Sequence, residues 1–199
     1  MIEGMETPDT LNRQVQKMFS DIAPRYDLLN RLLSCGQDQY WRKRAVARLS
    51  PQAGERFLDV ATGTADVALE IIRKVPQGAV QVVGMDFSEK MLELAQQKID
   101  SQGKAGSIQL ESGSAESLPF EDNSFDGTTT AFGVRNFSDV GQSLREMYRV
   151  LKPGATMSVW LFPPLIHNWV PGVIVRSNLL KEIDHGSNVY NYIRLEPVA

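Results

Sequence analysis

From Arg56 onward, short apolar runs alternate with amphipathic helical segments, and this alternation constrains the fold more than any other feature of the chain. The runs Phe57 to Ala61, Val80 to Met85, Ile108 to Leu110, Phe125 to Phe132 and Thr156 to Phe162 have the length and apolar content of buried strands. Between them, Val67, Ile71 and Val75 recur at helical spacing, as do Met91, Leu94, Ala95 and Ile99 after the N-cap candidate Ser88. A third helical face carries Val140, Leu144, Met147, Tyr148 and Leu151. It is predicted to start at the N-cap Ser138 and to stop at Lys152-Pro153-Gly154, where proline and glycine cannot continue it. Strands joined through helices need crossover connections, which are right-handed and lay the strands parallel. The expected fold is therefore α/β, a doubly wound, mostly parallel sheet with helices on both faces.

Ahead of this core, residues 10 to 50 read as helical: Leu11, Val15, Met18 and Phe19 first, then Leu28, Leu29, Leu32 and Leu33 after Pro24. Ser34-Cys35-Gly36 breaks the pattern, and Tyr40 to Leu49 resumes it before Ser50-Pro51. Three parts are expected: an N-terminal helical cap over 1–50, the α/β core over 51–162, and an atypical, incomplete C-terminal part over 163–199 with one strand at Val189 to Leu195. A sheet edge left incomplete there invites association, so a homodimer is expected.

Composition narrows the partners. With 42% hydrophobic and 23% charged residues the chain has the make-up of a globular domain, and a net charge of -3 provides no broad basic field for nucleic acid. The local cluster Arg42-Lys43-Arg44 is read as a solvated helix face, with peripheral membrane contact as the alternative. Cys35 is the single cysteine, which excludes an internal disulfide and a thiolate metal cluster, and a cytoplasmic setting is expected. His167 and His185 have no metal-ligand spacing, so no metal site is expected.

In an open parallel sheet, ligands bind outside the carboxyl ends of the strands, so the turns after the strands carry the chemistry. After the first strand comes Asp59-Val60-Ala61-Thr62-Gly63-Thr64-Ala65-Asp66, in which Gly63 permits a tight turn and the following helix offers free amides. Asp86 ends the second strand 22 residues beyond Thr64, where a carboxylate can accept from both hydroxyls of a ribose; its other reading is the cap of the helix starting near Ser88. Together they suggest a nucleoside ligand. A nicotinamide or flavin dinucleotide would want three glycines to cradle its pyrophosphate, and Gly63 is the sole glycine in this turn. The pairing of Asp59 with Gly63 resembles instead the first signature of S-adenosyl-L-methionine-dependent methyltransferases, whose ligand has no phosphate.

Five stretches extend that resemblance over about residues 14 to 162: Met18 to Asp27 with Asn30; Leu58 to Thr64; Ser114-Ala115-Glu116-Ser117-Leu118-Pro119-Phe120; Phe132-Gly133-Val134-Arg135-Asn136; and Tyr148 to Gly154. In this order they resemble the UbiE/COQ5 family of class I, Rossmann-like C-methyltransferases of menaquinone and ubiquinone biosynthesis. The resemblance implies S-adenosyl-L-methionine as cofactor and, as substrate, a prenylated quinol, either demethylmenaquinol or a polyprenyl methoxybenzoquinol. It places Thr64 at the methionine moiety, Asp86 at the ribose, Ser114 and Ala115 at the adenine, and Ala131 at a further cofactor contact, beside Asp59 and Gly63. It also places Arg135, Asn136 and Tyr26 near the substrate. A guanidinium holds its proton too firmly to serve as a base, so Arg135 is expected to stabilise the developing phenolate while Asn136 orients substrate or water.

Two positions depart from the family: Ala65 stands where glycine is usual, and Ala131 where serine is common. A methyl group in the turn is expected to obstruct close approach, and a lost hydroxyl to remove a hydrogen bond of about 0.5–1.5 kcal/mol. The alternative to an active quinol C-methyltransferase is therefore a cofactor-binding relative impaired by Ala65 and a shortened C-terminal part.

Overall fold

The structure is a computed structural model that describes residues 37–75 and 80–160, together with the backbone of 172–176. Within it, α1 (Gln37–Leu49) leads into β1 (Arg56–Val60), α2 (Asp66–Lys74), β2 (Gln81–Asp86), α3 (Glu89–Ser101), β3 (Ile108–Ser112) and β4 (Phe125–Ala131). A 3-10 turn at Val134–Asn136, then α4 (Val140–Arg149), β5 (Leu151–Trp160) and β6 (Gly172–Arg176) complete the order. The strands form one six-stranded sheet in the order β3-β2-β1-β4-β5-β6. All pairings from β3 through β5 are parallel, as the crossover helices require.

Alternation along the strands divides the core into two layers. Phe57 and Val82 face a cluster with Val46 and Leu49 of α1, Ile71 and Ile72 of α2, and Ala95 and Ile99 of α3. Leu58, Val60 and Val83 face the opposite cluster, built with Leu144 and Met147 of α4, Phe125 and Met157. Three helices thus cover one face and α4 the other, the doubly wound arrangement read from the sequence. Chain order reverses between β1 and β4, and the turns leaving these two strands and β2 open at this switch point.

Several boundaries differ from expectation. Ser88 does cap α3, its hydroxyl accepting from the Met91 amide. The cap of α4 is Asp139 rather than Ser138: its carboxylate accepts from Gln142 N at 2.8 Å, a stronger acceptor than a hydroxyl at a helix N-terminus. That helix ends at Arg149, and β5 already begins at Leu151, opposite Phe125. The Lys152-Pro153-Gly154 breaker sits in the irregular stretch of β5 before pairing resumes at Gly127 and Thr156. The C-terminal region supplies β6, which the sequence reading missed, antiparallel to β5 along the edge that was expected to stay open. The predicted strand at Val189 to Leu195, the two histidines and the cap up to Gly36 lie outside the described residues.

Candidate functional site

Two carboxylates and one glycine organise the turns at the switch point. Asp86, at the end of β2, is 6% exposed and accepts from Gly63 N at 2.8 Å through one oxygen and from Ser88 N at 2.9 Å through the other. Asp86 therefore braces the start of α3, in line with its capping reading, and ties the glycine turn to β2. Burial raises its carboxyl above the usual range, and the Ser88 and Gly63 amides work against that shift. A carboxylate has about four lone-pair sites, so two amides leave capacity for hydroxyl donors.

Asp59 plays a different part. It is 1% exposed, the penultimate residue of β1, and accepts from the Thr62 hydroxyl at 2.7 Å. Burial pushes its carboxyl from 3.8 up to about 7, helped by the charge of Asp86 and opposed by Thr62, the Ala68 amide and Arg42. A folded-state value above the unfolded one means that stability depending on the proton is fully present below the unfolded value and is lost as pH rises through about 7. At about 1.4 kcal/mol per pH unit, this group removes on the order of 3 kcal/mol between pH 5 and pH 8. Asp59→Asn keeps an acceptor for Thr62 and should flatten that slope in urea titrations run across this range. An unchanged slope would show that Asp59 ionises freely in the fold.

The glycine turn itself is tightly wound. Gly63 has φ +56°, and Ala61 and Ala65 also sit in the left-handed region, at φ +57° and +64°. For alanine that conformation costs roughly 1–2 kcal/mol, so glycine would be preferred at Ala65 on backbone grounds. The Ala65 methyl, however, is fully buried in the α1–α2–α3 layer and does not line the cleft below. The expected obstruction of ligand approach is thus corrected, because the methyl packs inward. Ala65→Gly relaxes the backbone but gives up about 0.8 kcal/mol of buried methyl and some unfolded-state restriction, so the melting transition should change by less than about 1 kcal/mol. A larger loss would mean that the methyl is an essential packing contact.

Gly63, Asp86, Ala131 and Asn136 come together around an open cleft at the switch point. The sequence reading named these four. It missed Phe87, Met91 and Phe137 as wall residues, and had Ala61, Phe132 and Gly133 only as parts of motifs. Phe87 follows Asp86 directly and Met91 lies in the first turn of α3, so position relative to the strand end was the available signal. Phe132 reaches the cleft at φ +66°, its amide donating to Trp160 O at 2.8 Å and its ring meeting Trp41 of α1 edge to face at 6.3 Å. Gly133 is required where it stands, since a Cβ there would lie 2.4 Å from that of Ala61.

The other expected residues that the structure describes are not among those lining the cleft. The Thr64 hydroxyl accepts from Lys98 Nζ at 2.9 Å, and Thr64 is only 4% exposed. Ser114 is exposed and hydrogen-bonded to Glu116, while Ala115 is buried in the α4 layer. Arg135 is exposed on the 3-10 turn that presents Asn136. Tyr26 lies outside the described residues.

Charge decides what this cleft favours. Among the described lining residues Asp86 carries the sole formal charge, and three phenylalanines with Met91 supply apolar wall. A pyrophosphate would meet a carboxylate with no lysine or arginine among the described wall residues to offset it, whereas a neutral nucleoside carrying a cationic group suits it.

Comparison with known proteins agrees with this chemistry. Residues 7–167 match the model of the ubiE/COQ5 methyltransferase family. The chain is 50% identical over 149 residues to the ubiquinone/menaquinone biosynthesis C-methyltransferase UbiE of Geotalea daltonii, covering 75% of this chain and 63% of that one. It is 52% identical over 150 residues to the demethylmenaquinone methyltransferase of Deinococcus radiodurans, covering 75% and 61%. The chain thus spans somewhat less than two thirds of the length of these curated relatives. Among solved structures, the [4+2]-cyclase SpnF superposes with a TM-score of 0.65 at 24% identity, over 75% of this chain and 60% of that one, a likeness of fold.

Proposed function

Because this chain belongs to the ubiE/COQ5 methyltransferase family, we propose that it transfers the methyl group of S-adenosyl-L-methionine to a ring carbon of a prenylated quinol, demethylmenaquinol or the polyprenyl methoxybenzoquinol. The observation that carries this reading is the cleft in which the Asp86 carboxylate and the Gly63 turn face an aromatic wall with no cationic residue among the described lining residues. When bound, the cofactor supplies an electrophilic methyl group on a sulfonium.

The residues present fit that group. Asp86 would receive the ribose hydroxyls, Phe87 and Met91 would flank the adenine, and the turn around Gly63 would take the amino-acid end, with Ala131 at the floor beside them. Asp59 acts from behind the turn, through Thr62, and Thr64 through Lys98. Ser114 and Ala115 are assigned to the adenine side on resemblance.

On the substrate side, carbon methylation needs a quinol hydroxyl to lose its proton so that charge can move onto the neighbouring ring carbon. Arg135 stabilises that phenolate, Asn136 orients the hydroxyl or the water that takes its proton, and Tyr26 is assigned to the substrate on resemblance. Most of the acceleration is then alignment and exclusion of water from an otherwise simple displacement. The alternative of a binding-only relative loses one of its grounds, since the Ala65 methyl lies in the core.

The organisation into a cap over 1–50, a core over 51–162 and a C-terminal part over 163–199 belongs to the same proposal, as do a homodimer and contact with the membrane in which a prenylated substrate resides. Among the described residues no helix is long and apolar enough to cross a membrane. Of the basic cluster, Lys43 is exposed, Arg42 is paired with Asp66, and Arg44 lies over the Tyr40 ring at 5.4 Å, which leaves a reduced patch for anionic lipid. The test is transfer of labelled methyl from the donor to demethylmenaquinol in detergent. Labelled menaquinol supports the proposal, and label that reaches neither demethylmenaquinol nor, in a parallel assay, the polyprenyl methoxybenzoquinol overturns it.

A further inference from the structure

Asp66, the first residue of α2, is the meeting point of three elements. Its Oδ2 pairs with Arg42 of α1 at 2.8 Å, and its Oδ1 pairs with Lys98 of α3 at 2.9 Å. The same Lys98 ammonium donates to the Thr64 hydroxyl at 2.9 Å, inside the glycine turn. These groups are substantially shielded, with side-chain exposures of 12% for Arg42, 28% for Asp66 and 23% for Lys98. Pairs so placed are held more firmly than the exposed ion pairs, such as Lys90–Glu93, that contribute little. Arg42 also bears electrostatically on the buried Asp59 beneath the turn. Its neighbour Trp41 is 7% exposed and packs on Phe132 in the cleft wall. One helix therefore touches both the glycine turn and the opposite wall.

The roles proposed so far give Asp66 none, and Arg42 and Lys98 enter them only as partners of Asp59 and Thr64. We propose that Asp66 is a positioning residue that locks the glycine turn to α1 on one side and to α3 on the other. The Lys98 arm fixes the turn that receives the methyl donor. The Arg42 arm fixes α1, and through Trp41 the Phe132 wall, on the side where the quinol must approach. The inference rests on the proposed function for its ligands but not for its geometry.

Three variants separate the arms: Asp66→Asn removes the hub charge, Lys98→Met the α3 arm, and Arg42→Gln the α1 arm. The first readout needs no ligand. In native-state hydrogen exchange, Asp66→Asn and Arg42→Gln are expected to speed exchange of the α1 amides at least about tenfold while amides of β1 and β4 keep their protection. The second readout is affinity for S-adenosylhomocysteine, expected to fall roughly five- to tenfold in Lys98→Met and Asp66→Asn. Arg42→Gln should leave that affinity within about twofold and lower kcat about tenfold, with Arg42→Lys recovering most of it. Were Asp66→Asn to misfold, the two arm variants carry the same readouts.

Uniformly faster exchange across the sheet, or unchanged exchange and affinity, would reduce Asp66 to an ordinary stabilising ion pair and overturn the inference. Failure of the unmodified chain to bind S-adenosylhomocysteine, alongside selective loosening of α1, would overturn the proposed function and leave the lock standing.

Discussion

Asp86→Ala is expected to weaken binding of S-adenosyl-L-methionine by about 100-fold or more. Two hydrogen bonds from ribose hydroxyls to a charged acceptor are worth roughly 1.5–3 kcal/mol each in a shielded site, and a loss of about 2.7 kcal/mol already corresponds to that factor. The cleft would also lose the one negative charge among its described lining residues, which faces a cationic donor in the proposed reading. Alanine brings a second effect, because it strips the acceptor from the Gly63 and Ser88 amides and so loosens the turn. Asp86→Asn separates the two contributions: one oxygen still accepts, and the burial cost of the charge disappears, so stability should hold while affinity falls. Calorimetric titration of both variants beside their urea midpoints is the check. Affinity unchanged within threefold in Asp86→Asn would mean that Asp86 only caps α3 and braces the turn.

The second large effect is on turnover. Arg135→Ala should reduce methyl transfer by about 100-fold or more, the usual consequence of removing one donor from a developing oxyanion, with donor affinity kept within about twofold. The separation follows from position: Arg135 is exposed on the 3-10 turn, outside the lining of the cleft assigned to the donor. Arg135→Lys is informative because an ammonium keeps the charge but not the planar fork, and partial recovery would assign the effect to charge. Substantial turnover in Arg135→Ala would remove Arg135 from the chemistry and leave Asn136, which does line the cleft, as the organising group on that turn.

How far the sequence carries can be read from particular elements. The parallel core was legible because each strand is a continuous apolar run and each helix has a 3.6-residue apolar face, signals that burial imposes directly. Asp86 and Gly63 were legible because the ends of β1 and β2 must meet at the switch point, whatever the side chains nearby. The cap of α4 was misread by one residue because Ser138 and Asp139 are both good caps, and only geometry chooses between them. Strand β6 was missed because Gly172 to Arg176 is a short run among proline and glycine, and pairing with β5 is what makes it a strand.

The site was legible in part, for a physical reason. Spacing identifies residues at strand ends but not which way each side chain turns. Thr64 turned out to be engaged by Lys98, 34 residues away, and the Ala65 methyl to be packed in the core. The ion pair between Arg42 and Asp66 had no local signature at all, and a cluster that reads as a solvated basic face contains a residue paired with the end of the glycine turn. The aromatic wall was likewise invisible, since Phe87, Phe132 and Phe137 become neighbours only when β2 and β4 lie on either side of β1.

The most direct test of the central claim, that the cleft at the switch point takes a methyl donor, is calorimetric titration of the full chain with S-adenosyl-L-methionine and, separately, with NADH. The account predicts saturable binding of the methyl donor, at a one-to-one ratio, and no detectable heat of binding for the dinucleotide. Binding of NADH, or the absence of donor binding by a chain that melts cooperatively, would contradict it.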